Sequence, residues 1–197
     1  MTDSLFTQAW LQELGQYQTL WVGFSGGLDS TVLLHGLAQQ PTLKGKVRAV
    51  HIHHGLSMNA ERWQSHCQQW CQAMDVPLVA HSVVLSGHGN VEETARIARY
   101  EVFSTLIAEH DCLLVAHHAD DQAETLLLQL FRGAGVDGLG AMLPNQPFGQ
   151  GVLARPLLQQ TRQTLEAYAA AHHLHWIEDE SNANTSFSRN YLRHELM

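Results

Sequence analysis

Lysine is nearly absent from this chain of 197 residues: only Lys44 and Lys46 occur. The three cysteines, Cys67, Cys71 and Cys112, are odd in number and form no C-x-x-C pair. That excludes a disulfide framework and the paired thiolates of the common zinc and iron–sulfur sites. Cys67 and Cys71 lie four apart on a predicted helix and read as helix-surface or half-buried thiols. No apolar run approaches the length needed to span a bilayer, and MTDSLFTQAWLQ lacks the basic-then-apolar order of a leader. There is no repeat and no low-complexity tract. A soluble, cytoplasmic protein with no membrane partner is the expectation. Basic residues are also short, 11 against 19 acids for a net charge of −8, which argues against a non-specific nucleic-acid binder.

What basic charge there is has a direction. Seven of the nine arginines lie at or after Arg96, among the most motif-like segments, so an acidic body carries a local arginine cluster suited to a nucleotide phosphate or a specific nucleic acid. The length favours one domain with a substantial core over 1–197. The last stretch, SRNYLRHELM, starts a helical pattern without a stop signal, and so reads as cut from a longer protein.

Apolar, β-branched runs at 20–24, 46–52, 77–83 and 113–117, with a weaker fifth at 175–178 (HWIE), alternate with helical patterns near 5–14, 29–39, 59–74, 91–109, 120–132 and 161–172. This predicts an α/β fold, a doubly wound, mostly parallel five-stranded sheet with helices on both faces. The Gly- and Pro-rich stretch 133–151 reads as a long loop. Ligands in such folds bind at the carboxyl ends of the strands. Three predicted strands end in polar clusters there: SGGLDS, HIHHGLS and HHADDQAET.

In WVGFSGGLDST the apolar run stops at Ser25-Gly26-Gly27, and a helix opens at Leu28-Asp29-Ser30. Two glycines allow a tight turn that exposes backbone N–H groups. Two serines add hydroxyls, and the helix N-terminus adds its positive end. This is an anion cradle, yet it lacks the Gly-Lys-Ser/Thr that grips the β- and γ-phosphates of ATP in P-loop enzymes. Gly133, Gly135 and Gly138 spell G-x-G-x-x-G, but they follow a predicted helix and lead into a Pro-containing loop, the wrong context for a dinucleotide fingerprint.

In HIHHGLS, His51 and His53 share a strand face and His54 points elsewhere. A zinc site and a ligand-facing rim both use such histidines. Without a carboxylate or thiolate at matching spacing, the rim is favoured. Asp121 and Glu124 stand three apart at the start of a helix and make an acidic pocket suited to an amine; dipole-favoured or solvated acids are the plainer readings. Arg96 and Arg99, one helical turn apart, and Arg189, Asn190 and Arg193 near the end are candidates for a phosphate.

SGGLDS resembles the signature Ser-Gly-Gly-x-Asp-Ser of the pyrophosphate-loop ATPases, which share an adenine nucleotide alpha hydrolase-like fold. These enzymes cleave ATP between its α- and β-phosphates. The resemblance implies ATP and Mg2+ as cofactors, loop residues 25–30 on the leaving pyrophosphate, and Asp29 as catalytic metal ligand. FSGGLDS, HIHHGLS, EETARIARY, AHHADDQAET, RGAGVDGLGAM, RPLL and DESNANTSFSRNYLR, in that order, resemble one branch of the group, the tRNA(Ile)-lysidine synthetases. That branch implies adenylylation of O2 of the wobble cytidine in an isoleucine tRNA with a CAU anticodon. Free L-lysine then attacks C2 and expels AMP. It also implies lysine binding by His117, Asp121 and Glu124, nucleotide contacts by His51 and His53, and catalytic roles for Arg96 and Arg189. Further C-terminal tRNA-binding domains belong to the same expectation, and a homodimer is compatible with it. Competing readings are tRNA-thiolating or amide-forming members of the group and a nucleotide-sensing module without catalysis.

Overall fold

A computed structural model describes residues 5–53, 60–83, 91–135 and 140–178. Its strands are β1 (Thr19–Gly23), β2 (Val47–His53), β3 (Leu78–Ser82), β4 (Asp111–Leu114), β5 (Asn145–Phe148) and β6 (Gly151–Ala154). Its helices are α1 (Gln8–Leu14), α2 (Leu28–Ala38), α3 (Ala60–Ala73), α4 (Val91–Leu106), α5 (Ala119–Phe131) and α6 (Arg162–Ala171). The six strands form one sheet in the order β3-β2-β1-β4-β6-β5. All neighbours are parallel except the edge pair β5/β6. Among the described residues, no helix is long and apolar enough to cross a membrane.

The central strands alternate their side chains between two cores. Leu20 and Val22 of β1 join Leu33, Leu34 and Leu37 of α2 and Leu165 of α6 on one face. Val50 and Ile52 of β2, Leu113 of β4 and Leu153 of β6 join Phe103 and Ile107 on the other. Helix α2 is apolar nearly all round and buried along most of its length, as a helix clamped against a parallel sheet must be. Each fully buried leucine there contributes roughly 1.5–3 kcal/mol relative to exposure. The helix that carries the SGGLDS turn is therefore held rigidly.

The chain runs from β1 outward to β2 and β3, then returns to place β4 on the other side of β1. The order reverses between β1 and β4, so the segments leaving these two strands flank the topological switch point, where open α/β sheets bind ligands.

Three expectations need correction. Residues 175–178 form no strand: the position beside β4 that a further parallel strand would take is held by β6, and Ile177 instead donates its N–H to the carbonyl of Gly26 at 2.9 Å. The stretch 133–151 is not one long loop, because β5 and the start of β6 lie within it. They are joined by Gly149–Gln150, with Gly149 at φ 57°; Pro147 is tolerated because β5 is an edge strand. The cysteines are neither surface nor half-buried. All three are fully buried, and burial pushes each thiol up to about 12.

Gly133 and Gly135 prove to follow α5, and Gly138 lies outside the described residues. Gly133, at φ 72°, ends α5: its N–H donates to Leu130 and the Ala134 N–H to Gln129, a Schellman cap. The first glycine of the pattern is a helix stop.

Candidate nucleotide and amine site

The SGGLDS turn is locked by its own hydroxyls. Ser30 Oγ donates to the Gly27 carbonyl at 3.1 Å and accepts the Ser25 N–H at 3.2 Å. Ser25 Oγ lies 3.0 Å from Ser30 Oγ and accepts the Gly27 N–H at 3.3 Å. Gly26 sits at φ 86°, where an L side chain is strained. A Cβ there would also stand 3.0 Å from both Cys67 Sγ and Ile177 Cδ1. Gly27 is the N-cap of α2 and supplies no capping side chain, so the first-turn N–H groups point outward with the helix dipole behind them. Together these features suit an anion.

His51 holds the entrance to this turn. It is buried, and its Nδ1 donates to the Phe24 carbonyl at 2.8 Å, which fixes the tautomer; Cys67 Sγ lies 3.5 Å from the same nitrogen. Burial lowers its pKa, the hydrogen bond to Phe24 opposes this, and His53 lowers it further. His53 is half-buried on the same face of β2. His54 lies outside the described residues.

On the β4 side, His118 is fully buried at the N-terminus of α5. Its Nε2 lies 3.7 Å from Asp29 Oδ2 and 3.6 Å from Asp121 Oδ2, and its Nδ1 lies 3.4 Å from Asp120 Oδ2. These separations are long for strong hydrogen bonds. Burial lowers the His118 pKa, but Asp29, Asp121 and Asp120 outweigh it and the net shift is upward. Asp121 also caps α5 by accepting the His118 backbone N–H at 2.9 Å. Glu124, one turn on, is the buried residue of an otherwise half-exposed helix. The structure thus brings Asp29 together with Asp121 through one imidazole.

His117 is oriented by Arg155, which the sequence reading left without a role. The Arg155 Nε donates to His117 Nδ1 at 3.2 Å, and its Nη1 donates to the Leu143 carbonyl at 2.7 Å and to Gln146 Oε1 at 3.2 Å. A second missed residue is Arg162, whose Nη1 lies 3.6 Å from Asp29 Oδ1. A cation in the first turn of a helix, set against the dipole, was the available signal. Arg96 lies on α4, exposed and bonded to Glu93 through Nε at 3.0 Å. Arg189, Asn190 and Arg193 lie outside the described residues.

A mostly parallel sheet with a glycine-rich turn opening a helix at its switch point defines an α/β domain of the nucleotide-binding class. The PP-loop domain model matches residues 4–197, and the chain belongs to that family. It is similar to the tRNA(Ile)-lysidine synthase of Legionella pneumophila strain Paris, 55% identical over 197 residues, which are 100% of this chain and 46% of that protein. The enzyme of the same name from Pseudomonas aeruginosa is 52% identical over 178 residues, 89% of this chain and 40% of that one. The chain therefore spans about half the length of the curated relatives it matches. Among solved structures, the U34-tRNA thiolase NcsA from Methanococcus maripaludis, determined with its [4Fe-4S] cluster, superposes with a TM-score of 0.70. It is 15% identical, over 90% of this chain and 64% of that one. The NH3-dependent NAD synthetase of Campylobacter jejuni superposes with a TM-score of 0.54 at 17% identity, over 85% of this chain and 70% of that one. At these identities the likeness is one of fold.

Proposed function

We propose that this domain carries the chemistry of lysidine formation, the ATP-dependent joining of free lysine to C2 of the wobble cytidine in an isoleucine tRNA, in the cytoplasm. The observation that carries the reading is the placement of His118 Nε2, 3.7 Å from Asp29 and 3.6 Å from Asp121, which sets an anion turn and an acidic pocket side by side. An enzyme that activates with ATP and then couples an amine needs these two half-sites adjacent. Identity of 55% to a tRNA(Ile)-lysidine synthase over the whole chain supports the same reading.

The turn 25–30 and the first-turn N–H groups of α2 would hold the β- and γ-phosphates, leaving the α-phosphorus open to O2 of cytidine. Asp29 fits a metal that travels with the nucleotide: it stands beside the anion turn, and its Oδ1 is buried without a hydrogen-bond partner. Bound there, Mg2+ would neutralise the leaving pyrophosphate. Asp121 and Glu124, with His117 oriented by Arg155, would hold an ammonium group of lysine so that its free amine meets the activated carbon. Arg96 and Arg189 would stabilise charge at the α-phosphate. A sulfur-transfer reading finds no support in the thiols: each is buried and held protonated near 12, whereas the thiolate is the reactive form.

Incubation with unmodified isoleucine tRNA, ATP and labelled lysine should yield labelled tRNA, AMP and pyrophosphate. Incorporation of sulfur, or no tRNA product, would refute the reading. Glu124→Ala should raise the lysine requirement more than it slows ATP–pyrophosphate exchange. Equal damage to both would remove its assigned role.

A further inference from the structure

Around the anion turn the fixed charge has the wrong sign for a polyphosphate. Asp29, Asp120 and Asp121 all lie within 3.7 Å of the His118 ring, and Glu124 is buried one turn further along α5. His118 is fully buried beneath these carboxylates. Among the described residues, the arginine or lysine that contacts Asp29 is Arg162.

Its placement is built rather than incidental. The Arg162 backbone N–H donates to Asp120 Oδ2 at 2.9 Å, which ties the start of α6 to the start of α5. Thr161 caps α6 by accepting the Thr164 N–H at 3.2 Å. The guanidinium then reaches two carboxylates, with Nε 3.1 Å from Glu166 Oε1 and Nη1 3.6 Å from Asp29 Oδ1. The contact with Glu166 is a hydrogen bond. The contact with Asp29 is longer and leaves Asp29 Oδ1 without a hydrogen bond. The side chain is 37% exposed, so it can turn toward a ligand.

We infer that Arg162 is an exchangeable counterion of the nucleotide site. Its guanidinium neutralises Asp29 when no divalent cation is present. When a metal-bound triphosphate enters and the metal takes Asp29, the guanidinium passes to the phosphate oxygens. This rests on the nucleotide reading of the turn. Arginine suits the task because its planar fork pairs with carboxylate and phosphate alike and keeps its charge throughout. The exchange costs little because the Asp29 contact is loose.

The assignment makes two affinities move in opposite directions when the cation is removed. In Arg162→Ala, calorimetry with ATP and Mg2+ should show binding weakened about tenfold or more, the effect of losing a charge-assisted contact. Mn2+ titrated without nucleotide and followed by electron paramagnetic resonance should bind several-fold more tightly, because its competitor at Asp29 is gone. Arg162→Lys, which keeps the charge, should restore most of the ATP affinity and most of the Mn2+ competition. Loss of both affinities in Arg162→Ala, or no change in either, would overturn the inference, since a residue that merely braces the fold cannot raise one while lowering the other. Failure of the wild-type protein to bind ATP would overturn the reading of the turn itself, and the role of Arg162 with it.

Discussion

His51 and His118 stand on opposite sides of β1, at 5% and 0% exposure, yet their pKa values move in opposite directions. Burial lowers that of His51, whose nearest polar neighbours are the Phe24 carbonyl and the Cys67 thiol. Burial also acts on His118, but three carboxylates within 3.7 Å reverse the result. Depth does not decide the charge of an imidazole here; its neighbours do. The β1–β2 side is furnished with N–H and hydroxyl groups around a ring whose pKa is lowered by burial, which suits an anion. The β4–α5 side is furnished with acids around a ring that favours its proton, which suits a cation. One rim therefore offers opposite potentials within the width of a few strands.

The strongest way to break this contrast is to remove the residue that touches both sides. Asp29→Ala should lower ATP–pyrophosphate exchange by about a hundred- to a thousandfold, the scale of losing one preorganised electrostatic group at a reacting centre. Exchange within tenfold of wild type would show that the acidic side does not serve the nucleotide.

A smaller effect is expected from spoiling the anion side alone. Gly26→Ala meets a φ of 86° and contacts at 3.0 Å with Cys67 and Ile177, and should destabilise the fold by roughly 1–3 kcal/mol in urea unfolding. An unchanged midpoint would mean that the turn relaxes freely.

The smallest effect sharpens the comparison by its sign. His118 has a raised folded pKa, so the folded state holds its proton more tightly; this stability is complete below the ordinary value of 6.5 and is lost as pH rises through the folded pKa. His51 has a lowered pKa, so its stability is complete above 6.5 and is lost as pH falls toward the folded value. In metal-free protein, His118→Asn should flatten the decline of stability above pH 6.5 and His51→Asn the decline below it, read from unfolding midpoints across pH 5 to 8. Flattening on the same side of 6.5 in both variants would remove the electrostatic distinction.

How much of this was legible in the sequence depended on whether the signal was local. The first four strands and six helices stood out because apolar runs and 3.6-residue periodicity are written in consecutive residues. β5 and β6 did not, since four-residue strands set among Gly149, Gly151, Pro144 and Pro147 look like loop. HWIE looked like a strand because Trp176 and Ile177 carry strand propensity, but propensity says nothing about whether a sheet edge is free. The loop residues Ser25 to Ser30 and the acids Asp121 and Glu124 stood out as candidates from spacing. Their meeting through His118 did not, because it depends on the crossover that brings β4 beside β1. Arg155 and Arg162 were missed for the same reason, as each acts on partners distant in the chain. The cysteines were misjudged because helical spacing gives a shared face but not which way it looks.

The hydrogen bond from Ile177 to Gly26 ties a late part of the chain to one of the earliest functional turns. During synthesis Ser25 to Ser30 leave the ribosome long before their partner is made, and contacts so far apart in sequence form slowly. Until Ile177 arrives, the Gly26 carbonyl lacks this backbone donor and the Ile177 side chain does not yet cover the turn. The turn is thus completed by one of the last described residues to be translated, so a growing chain lacks this contact while most of its sheet is already in place.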